Sequence, residues 1–314
     1  MSERFDVVIV GGGPAGLTAG IYAGRAGKTA AVFERETIGG QITFTDSIDN
    51  YPGTPGISGA EYAMKLKDQA EEFGTQVIMD EITEIRKPEK EGEPFVVKAT
   101  ENTYEATAVI LATGLSSRRM GIPGEAELIG KGISFCAVCD GMFFRGKDVA
   151  VYGGGNTALE DAIYMSQLAS SVTIIHRRDR FRGEDTLVRQ LKSKDNVKFC
   201  MNSTVTGVSG SPLLDSVEVT DKETGEKKEL KVNGLFVAIG KIPNGKAFSD
   251  LVEEDDRGYY ESGEDCLTMT PGVFTAGDGR DKAVNQLTTA VADGAVAATA
   301  ACHYVDRLSG NEYV

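Results

Sequence analysis

Two cysteines in the middle of the chain have the spacing of a redox pair. Cys136 and Cys139 are separated by two residues in the stretch FCAVCDG, and Asp140 follows directly. Sulfur atoms at this spacing can bond to each other, and a helix that began at the pair would stabilise a thiolate. The thiolate is the species that attacks a disulfide, and the exchange requires a proton donor nearby. Asp140 is the candidate donor, and the alternative is an aspartate that only caps a helix.

Two other interpretations of the pair, a zinc site and a structural bridge, fit the sequence less well. Zinc sites usually have four ligands, and the two histidines, His176 and His303, do not lie in a zinc-binding motif. A bridge that closes a loop of two residues would contribute little stability and would be reduced in the cytosol. The other cysteines are isolated along the chain, and we expect them to be buried as small apolar side chains: Cys200, Cys266 and Cys302.

The composition is that of an acidic globular protein long enough for two domains. The 314 residues have a formal net charge of −14 and a pI of about 4.8. This charge argues against nucleic acid or an anionic membrane as the main partner. The N-terminus has no signal-peptide pattern, and no stretch approaches the ~18 apolar residues of a membrane span. The cytoplasm is therefore the expected location.

A dinucleotide-binding fingerprint opens the chain. An apolar strand over residues 5–10 leads into Gly11-x-Gly13-x-x-Gly16, and a helix of small residues and a second strand follow. In this motif the glycines allow a tight turn and a close approach of the backbone to a pyrophosphate, which lies at the helix N-terminus. The second strand ends at Glu34, and a carboxylate at that position accepts hydrogen bonds from a ribose without a 2′-phosphate. The first copy therefore suits FAD or NAD(H).

A second copy of the same pattern begins about 140 residues later. A strand over residues 148–152 leads into Gly153-x-Gly155-x-x-Ala158, again followed by a helix and a strand. Where the first copy has its carboxylate, the second has a basic cluster: His176, Arg177, Arg178 and Arg182. Arginines bind a 2′-phosphate through charge-assisted hydrogen bonds, so this copy suits NADPH. A solvated basic patch is the alternative.

The two copies define the predicted architecture. Each is followed by short antiparallel strands, and the chain closes with a strand, a glycine-aspartate turn and a long alanine-rich helix that has no catalytic signal of its own. We predict an α/β protein of two Rossmann-like domains, each with a three-layer ββα arrangement of two sheets and one layer of helices. The simplest division has an FAD-binding domain over residues 1–116 and 246–314, interrupted by an NADPH-binding domain over residues 117–245 that includes the cysteine pair.

The motifs together resemble one family, the bacterial low-molecular-weight thioredoxin reductases. The segments GGGPAGLTAGIYAGRAG, GGQITFTDSIDNYPG, CAVCDGMFFRGK, HRRDRFR and VFTAGD occur in the family's order and cover nearly the whole chain. The resemblance implies a homodimeric flavoprotein in which a hydride passes from NADPH to FAD and the electrons pass to the Cys136–Cys139 disulfide. The dithiol then reduces thioredoxin, with Cys139 facing the flavin and Cys136 attacking the substrate. It also implies rotation of the inserted domain about hinges near residues 116 and 245.

The resemblance also assigns residues to each site. For FAD it implies Gly11, Gly13, Pro14, Ala15, Gly16, Glu34, Arg35, Gly40, Gln41, Asn50, Asp278, Gln286 and Leu287. For NADPH it implies Gly153, Gly155, Asn156, Thr157, His176, Arg177, Arg178 and Arg182. Three alternatives stay open: another small dithiol protein as the partner, ferredoxin as the electron donor, or a flavin-binding redox sensor that does not turn over.

Overall fold

The computed structural model describes residues 3–45, 47–90 and 92–311. The strands in chain order are β1 (Glu3–Val10), β2 (Ala30–Glu34), β3 (Gln76–Met79), β4 (Ile82–Arg86), β5 (Phe95–Ala99), β6 (Thr103–Leu111), β7 (Leu115–Ser117), β8 (Ile133–Ser134), β9 (Asp148–Gly153), β10 (Ser171–Ile175), β11 (Val197–Cys200), β12 (Ser203–Gly210), β13 (Leu214–Asp221), β14 (Lys227–Lys231), β15 (Gly234–Ala238), β16 (Lys241–Pro243) and β17 (Val273–Thr275). The α-helices are α1 (Pro14–Arg25), α2 (Gly59–Glu72), α3 (Glu125–Leu128), α4 (Ala137–Asp140), α5 (Asn156–Leu168), α6 (Asp185–Lys192) and α7 (Leu287–Leu308).

The chain forms two compact units, the second of which interrupts the first. The first unit contains the residues up to Thr43, Tyr51–Ser116 and the residues from Ile242 onwards, and the second contains Phe44–Asn50 and Ser117–Lys241. These limits differ from the predicted ones for residues 44–50 and 242–245, which exchange units. The assignment of one nucleotide to each unit stays a prediction.

The first unit is built on a mixed sheet with the strand order β3-β2-β1-β6-β5-β4, and β17 also pairs with β6. Strands β1, β2, β3, β6 and β17 are parallel, whereas β5 is antiparallel to both β4 and β6. Successive residues of β1 point to opposite faces of the sheet. Ile9 lies against the start of α1, whereas Val8 and Val10 join a buried cluster that includes Phe33 and Tyr260. Because both faces are covered there, the second half of β1, Val7–Val10, is continuously apolar.

The second unit has three layers. Its central sheet is parallel, with the order β11-β10-β9-β15-β8. On one face Val149 and Val151 of β9 pack with residues of α5, and on the other Ala150 and Tyr152 pack with the antiparallel sheet β12-β13-β14. This is the predicted ββα arrangement, and the prediction of an α/β fold with two Rossmann-like units is confirmed.

Strand β10 ends at Ile175, before the basic cluster, in which His176 is buried while Arg177 and Arg178 are exposed. Cys200 was predicted to be buried but is partly exposed because it lies at the end of β11, whereas Cys266 and Cys302 are buried as expected. None of the helices in the described part of the chain has the length and apolar character that a membrane span requires.

Candidate active site and nucleotide-binding loops

Cys136 and Cys139 form a disulfide at the N-terminus of α4. Their Cα atoms are 5.3 Å apart. Cys136 is the N-cap residue of α4, with an extended backbone, and its Sγ accepts a hydrogen bond from the Cys139 backbone N–H at 3.2 Å. Both residues are partly exposed. The Cys139 backbone N–H is therefore placed to stabilise a thiolate at Cys136.

Asp140 is connected to the cysteine pair through a buried serine. Its Oδ2 accepts a hydrogen bond from Ser134 Oγ at 2.6 Å, and the same Oγ accepts from the Cys136 backbone N–H at 3.1 Å. The Asp140 side chain does not cap the 3-10 turn Gly141–Phe144 that follows it. Sequence reasoning missed Ser134, for which the only signal is a hydroxyl residue two positions before the first cysteine.

Apolar side chains close to the pair in sequence are exposed to solvent. Val138 lies within α4, and Met142 and Phe143 lie in the 3-10 turn directly after it. Their exposed fractions are 45%, 45% and 40%. Exposed apolar groups beside a reactive site are typical of a surface that binds another protein.

The first glycine loop is closed on one side and open on the other. A Cβ atom at Gly16 would overlap the Gly11 carbonyl, and one at Gly11 (φ 111°) would overlap the Ala112 carbonyl. At Gly13, the nearest atom to a Cβ would be the Gly39 carbonyl oxygen, 3.9 Å away. The loop therefore has free space beside the backbone at Gly13, where the fingerprint places a pyrophosphate.

Two carboxylates of the first unit fit the hydroxyl groups of FAD. Glu34 is buried at the end of β2, and its two oxygens accept hydrogen bonds from the backbone N–H groups of Gly12 (2.7 Å) and Glu36 (2.8 Å). Each oxygen retains a lone pair for a ribose hydroxyl. Asp278 Oδ1 is buried and accepts no hydrogen bond from the described residues, although Lys282 Nζ lies 3.3 Å away in an ion pair. A ribitol hydroxyl would satisfy this oxygen.

The other predicted FAD residues lie in several elements of the structure. Pro14, Ala15 and Gly16 open α1, and Gln286 caps α7, whose first residue is Leu287. Arg35, Gly40, Gln41 and Asn50 lie in the loops after β2. Arg35 is exposed and forms ion pairs with Glu36 and Glu81, whereas Asn50 belongs to the second compact unit.

The second glycine loop repeats the geometry of the first. A Cβ atom at Gly153 would overlap the Ala238 carbonyl, and one at Gly154 would overlap the ring of His176. At Gly155 a Cβ would meet no atom within 4 Å. The open position thus occurs at the third glycine of both loops, Gly13 and Gly155. Asn156 and Thr157 begin α5 directly after this loop and are exposed.

His176 occupies the place in the second loop that Glu34 occupies in the first. Its ring is buried beside Gly154, with Nε2 3.1 Å from the Arg180 carbonyl oxygen. Burial lowers the pKa of His176, and its hydrogen bonds to backbone groups do not reverse this shift. The imidazole is therefore neutral at neutral pH and supports the loop, in contrast to the exposed arginines after it.

The three arginines form an exposed basic cluster beside the second loop. Arg177 and Arg178 follow β10. The Arg182 backbone N–H donates a hydrogen bond to the Gly154 carbonyl oxygen at 2.8 Å, so the chain lies next to the glycine loop again at Arg182. Their guanidinium groups form no salt bridge with any residue that the structure describes. A cluster of unneutralised arginines suits a phosphate dianion.

Asn156 is held by a residue that the sequence did not indicate. Its side-chain amide donates to Glu184 Oε1 at 3.1 Å, and its Oδ1 accepts from the Glu184 backbone N–H at 2.9 Å. This reciprocal pair fixes the first residue of α5 next to the open side of Gly155. Glu184 therefore supports the predicted pyrophosphate loop through Asn156.

A Gly155→Ala variant tests the second loop. The backbone at Gly155 is extended (φ −93°) and its Cβ would have open space, so the thermal midpoint of the protein should change by less than about 2 °C. If a pyrophosphate approaches the backbone there, the added methyl should raise KM for NADPH at least about tenfold. Steady-state kinetics and thermal unfolding measure both. Gly153→Ala is the matched control and should lower the thermal midpoint, since its Cβ overlaps the Ala238 carbonyl. An unchanged KM in Gly155→Ala would exclude a pyrophosphate at this position.

Comparison with known proteins identifies close relatives over the full length. The sequence model of the pyridine nucleotide-disulphide oxidoreductase family matches residues 5–294. A thioredoxin reductase of Bacillus subtilis (strain 168) is 40% identical over 312 residues, which are 98% of each chain. A bifunctional thioredoxin reductase/thioredoxin of Mycobacterium leprae is 41% identical over 98% of this chain and 67% of that protein. The crystal structure of thioredoxin reductase from Streptococcus pyogenes MGAS5005 superposes with a TM-score of 0.91 at 38% identity, covering 98% of this chain and 100% of that one.

Proposed function

The chain belongs to the pyridine nucleotide-disulphide oxidoreductase family, and we propose that Cys136 and Cys139 are the residues through which it acts as a thioredoxin reductase. Relatives named thioredoxin reductase share about 40% identity over nearly the whole chain, so the activity is NADPH-dependent reduction of a thioredoxin disulfide by a flavoprotein. The observation that supports the assignment to this pair is its partly exposed disulfide at the N-terminus of α4.

The residues of each unit fit one nucleotide. The first unit would hold FAD through the loop at Gly13, the carboxylate of Glu34 and the buried oxygen of Asp278. The second would hold NADPH through the loop at Gly155 and the arginine cluster. When bound, FAD accepts a hydride from NADPH and supplies two electrons to a disulfide.

The reduced cysteine pair then acts on the substrate by thiol–disulfide exchange. The Cys136 thiolate attacks one sulfur of the substrate disulfide, forms a mixed disulfide and releases a substrate thiolate, which takes a proton from Asp140. The Cys139 thiolate attacks the Cys136 sulfur, restores the internal disulfide and releases the second substrate thiolate, which takes its proton from the solvent. Two electrons leave the pair, and the substrate gains two electrons and two protons. Ser134 keeps Asp140 and the Cys136 backbone in register during this exchange.

The partner is a thioredoxin-like protein rather than a small disulfide. The exposed apolar groups of Val138, Met142 and Phe143 provide a surface that a folded partner can cover. The Mycobacterium leprae relative is described as a fusion with thioredoxin, which supports the same class of partner. We further infer a cytoplasmic homodimer that does not bind nucleic acid, on the basis of the family resemblance and the net charge of −14.

A stopped-flow reductive titration tests this function. The purified protein should contain an oxidised flavin that NADPH bleaches faster than NADH, and addition of an oxidised thioredoxin should restore the flavin absorbance. A flavin that ferredoxin bleaches and NADPH does not would contradict the assignment of the donor. A flavin that NADPH bleaches and thioredoxin does not reoxidise would instead favour another dithiol protein or a redox sensor. Glutaredoxin serves as the control acceptor.

A further inference from the structure

A buried cluster of charges connects α7 to the turn that presents Asp278. Asp293, on the second turn of α7, is 6% exposed. Its carboxylate accepts hydrogen bonds from the Gly277 backbone N–H at 3.0 Å, from Arg280 Nε and Nη2 at 2.9 Å each, and from Lys282 Nζ at 3.0 Å. Lys282 Nζ also lies 3.3 Å from Asp278 Oδ1. A single helical carboxylate thus holds three groups of one turn.

Asp293 is ionised although it is buried. Burial by itself raises the pKa of the Asp293 carboxyl, but hydrogen bonds and charges from Arg280 and Lys282 outweigh burial and hold this pKa below its usual range. Asp293 is therefore ionised at neutral pH. Arg280 is 3% exposed, and the two cations balance the carboxylates of Asp278 and Asp293. Removing one partner leaves the others buried and incompletely paired, which makes the geometry of the cluster interdependent.

The cluster lies next to the first turn of α1, which directly follows the first glycine loop. Gly277 has φ 77°, and a Cβ atom there would come within 2.9 Å of the Ala15 Cβ. A Cβ at Gly294, the residue after Asp293, would overlap the Ala15 carbonyl. The turn and α7 therefore both pack against the second residue of α1, which follows the open position at Gly13. Helix α7 therefore places the buried charge of Asp293 next to the start of α1.

We propose that Asp293 is a positioning residue for FAD binding. It fixes the Gly277 backbone and Lys282, and Lys282 in turn holds Asp278 with Oδ1 free to accept a hydrogen bond from a ribitol hydroxyl. The inference rests on the proposed FAD role of Asp278, and Asp293 itself does not touch the cofactor. It assigns a function to a helix that the sequence left without one.

A positioning role and a purely electrostatic role of Asp293 predict opposite effects of Asp293→Asn on the affinity for FAD. This substitution preserves the shape of the side chain and removes one negative charge from the neighbourhood of an anionic pyrophosphate. If Asp293 acted only through its charge, the variant should bind FAD more tightly. If Asp293 acts by orienting Gly277, Lys282 and Asp278, the variant should bind FAD more weakly, because an amide cannot accept from all three donors.

FAD binding to the full-length apoprotein tests the inference through quenching of flavin fluorescence. We expect Asp293→Asn and Lys282→Met each to raise the Kd for FAD about tenfold or more, the factor that corresponds to one charged hydrogen bond. The matched control is Asp306→Asn, which removes an ion pair with Lys28 about 20 Å further along α7. The control should lower the thermal midpoint of the apoprotein without changing the Kd for FAD.

Two results would overturn the inference. One is an Asp293→Asn variant with unchanged or tighter FAD binding, and the other is an Asp306→Asn variant that loses as much affinity as Asp293→Asn. If Asp293→Asn does not fold, Asp293→Glu decides, because it keeps the charge and moves the carboxylate by one methylene: weaker FAD binding supports positioning, and unchanged FAD binding overturns it. Asp278→Ala separates this inference from the proposed function. Unchanged FAD affinity in Asp278→Ala refutes the role of Asp278 itself, whereas weaker binding there with normal binding in Asp293→Asn refutes only the role of Asp293.

Discussion

A Cys139→Ser variant is expected to lose thioredoxin reduction almost completely while its FAD content stays normal. Serine cannot form a disulfide with Cys136, so the chain has no group that stores two electrons between the flavin and the substrate. We expect kcat to fall at least about 1,000-fold, a loss typical of removing a nucleophile. The measurement is NADPH oxidation with thioredoxin as the acceptor, together with the flavin absorbance of the purified variant.

The two single-cysteine variants should differ in the intermediate that they accumulate. Cys139→Ser keeps the attacking Cys136 and lacks the thiol that resolves the mixed disulfide, so it should form a stable adduct with oxidised thioredoxin. Cys136→Ser should form much less adduct. The opposite pattern, measured on a non-reducing gel, would reverse the proposed roles. Cys200→Ser is the control, since Cys200 is also partly exposed but lies outside the pair, and its turnover should stay within about twofold of normal.

The parts of the structure that the sequence predicts depend on local patterns. Strands β1 and β2 flank a glycine motif, and Glu34 ends the second of them, so spacing alone places the carboxylate next to the loop. The cysteine pair is predicted for the same reason, because two sulfurs three positions apart at a helix start can meet without help from distant residues. In each case the residues that make contact belong to one supersecondary unit, and the regular geometry of its strands and helices brings them together.

The parts that the sequence does not predict depend on contacts that no sequence motif specifies. His176 lies in the same strand–helix–strand unit as Gly154, but its place in a basic sequence cluster did not indicate that its ring is buried against that glycine. Asp293 lies in an alanine-rich helix without a motif, and its role emerges only when the turn around Asp278 folds onto α7. No change of composition marks residues 44–50, which the structure groups with the second compact unit.

The double variant Arg177→Ala/Arg178→Ala is expected to change the preference of the protein from NADPH toward NADH. Both guanidinium groups are exposed beside the second glycine loop, and neither is in a salt bridge with a described residue. Each charged hydrogen bond to a 2′-phosphate contributes about 1.5–3 kcal/mol, so kcat/KM for NADPH should fall about 100-fold or more. Because NADH has no 2′-phosphate, kcat/KM for NADH should stay within about threefold of normal.

A neighbouring arginine separates a phosphate site from a general basic patch. Arg180 lies in the same exposed loop as Arg177 and Arg178 but is outside the set that the resemblance assigns to the 2′-phosphate. If the cluster acts only through a diffuse positive field, Arg180→Ala should lower kcat/KM for NADPH as much as the loss of either assigned arginine does. If Arg177 and Arg178 form a specific 2′-phosphate site, Arg180→Ala should change kcat/KM for NADPH less than about threefold. Ionic strength provides a second measure, since screening should weaken NADPH binding in the unmodified protein more than NADH binding. Equal losses for both nucleotides in the double variant would show that these arginines support the loop and do not read the 2′-phosphate.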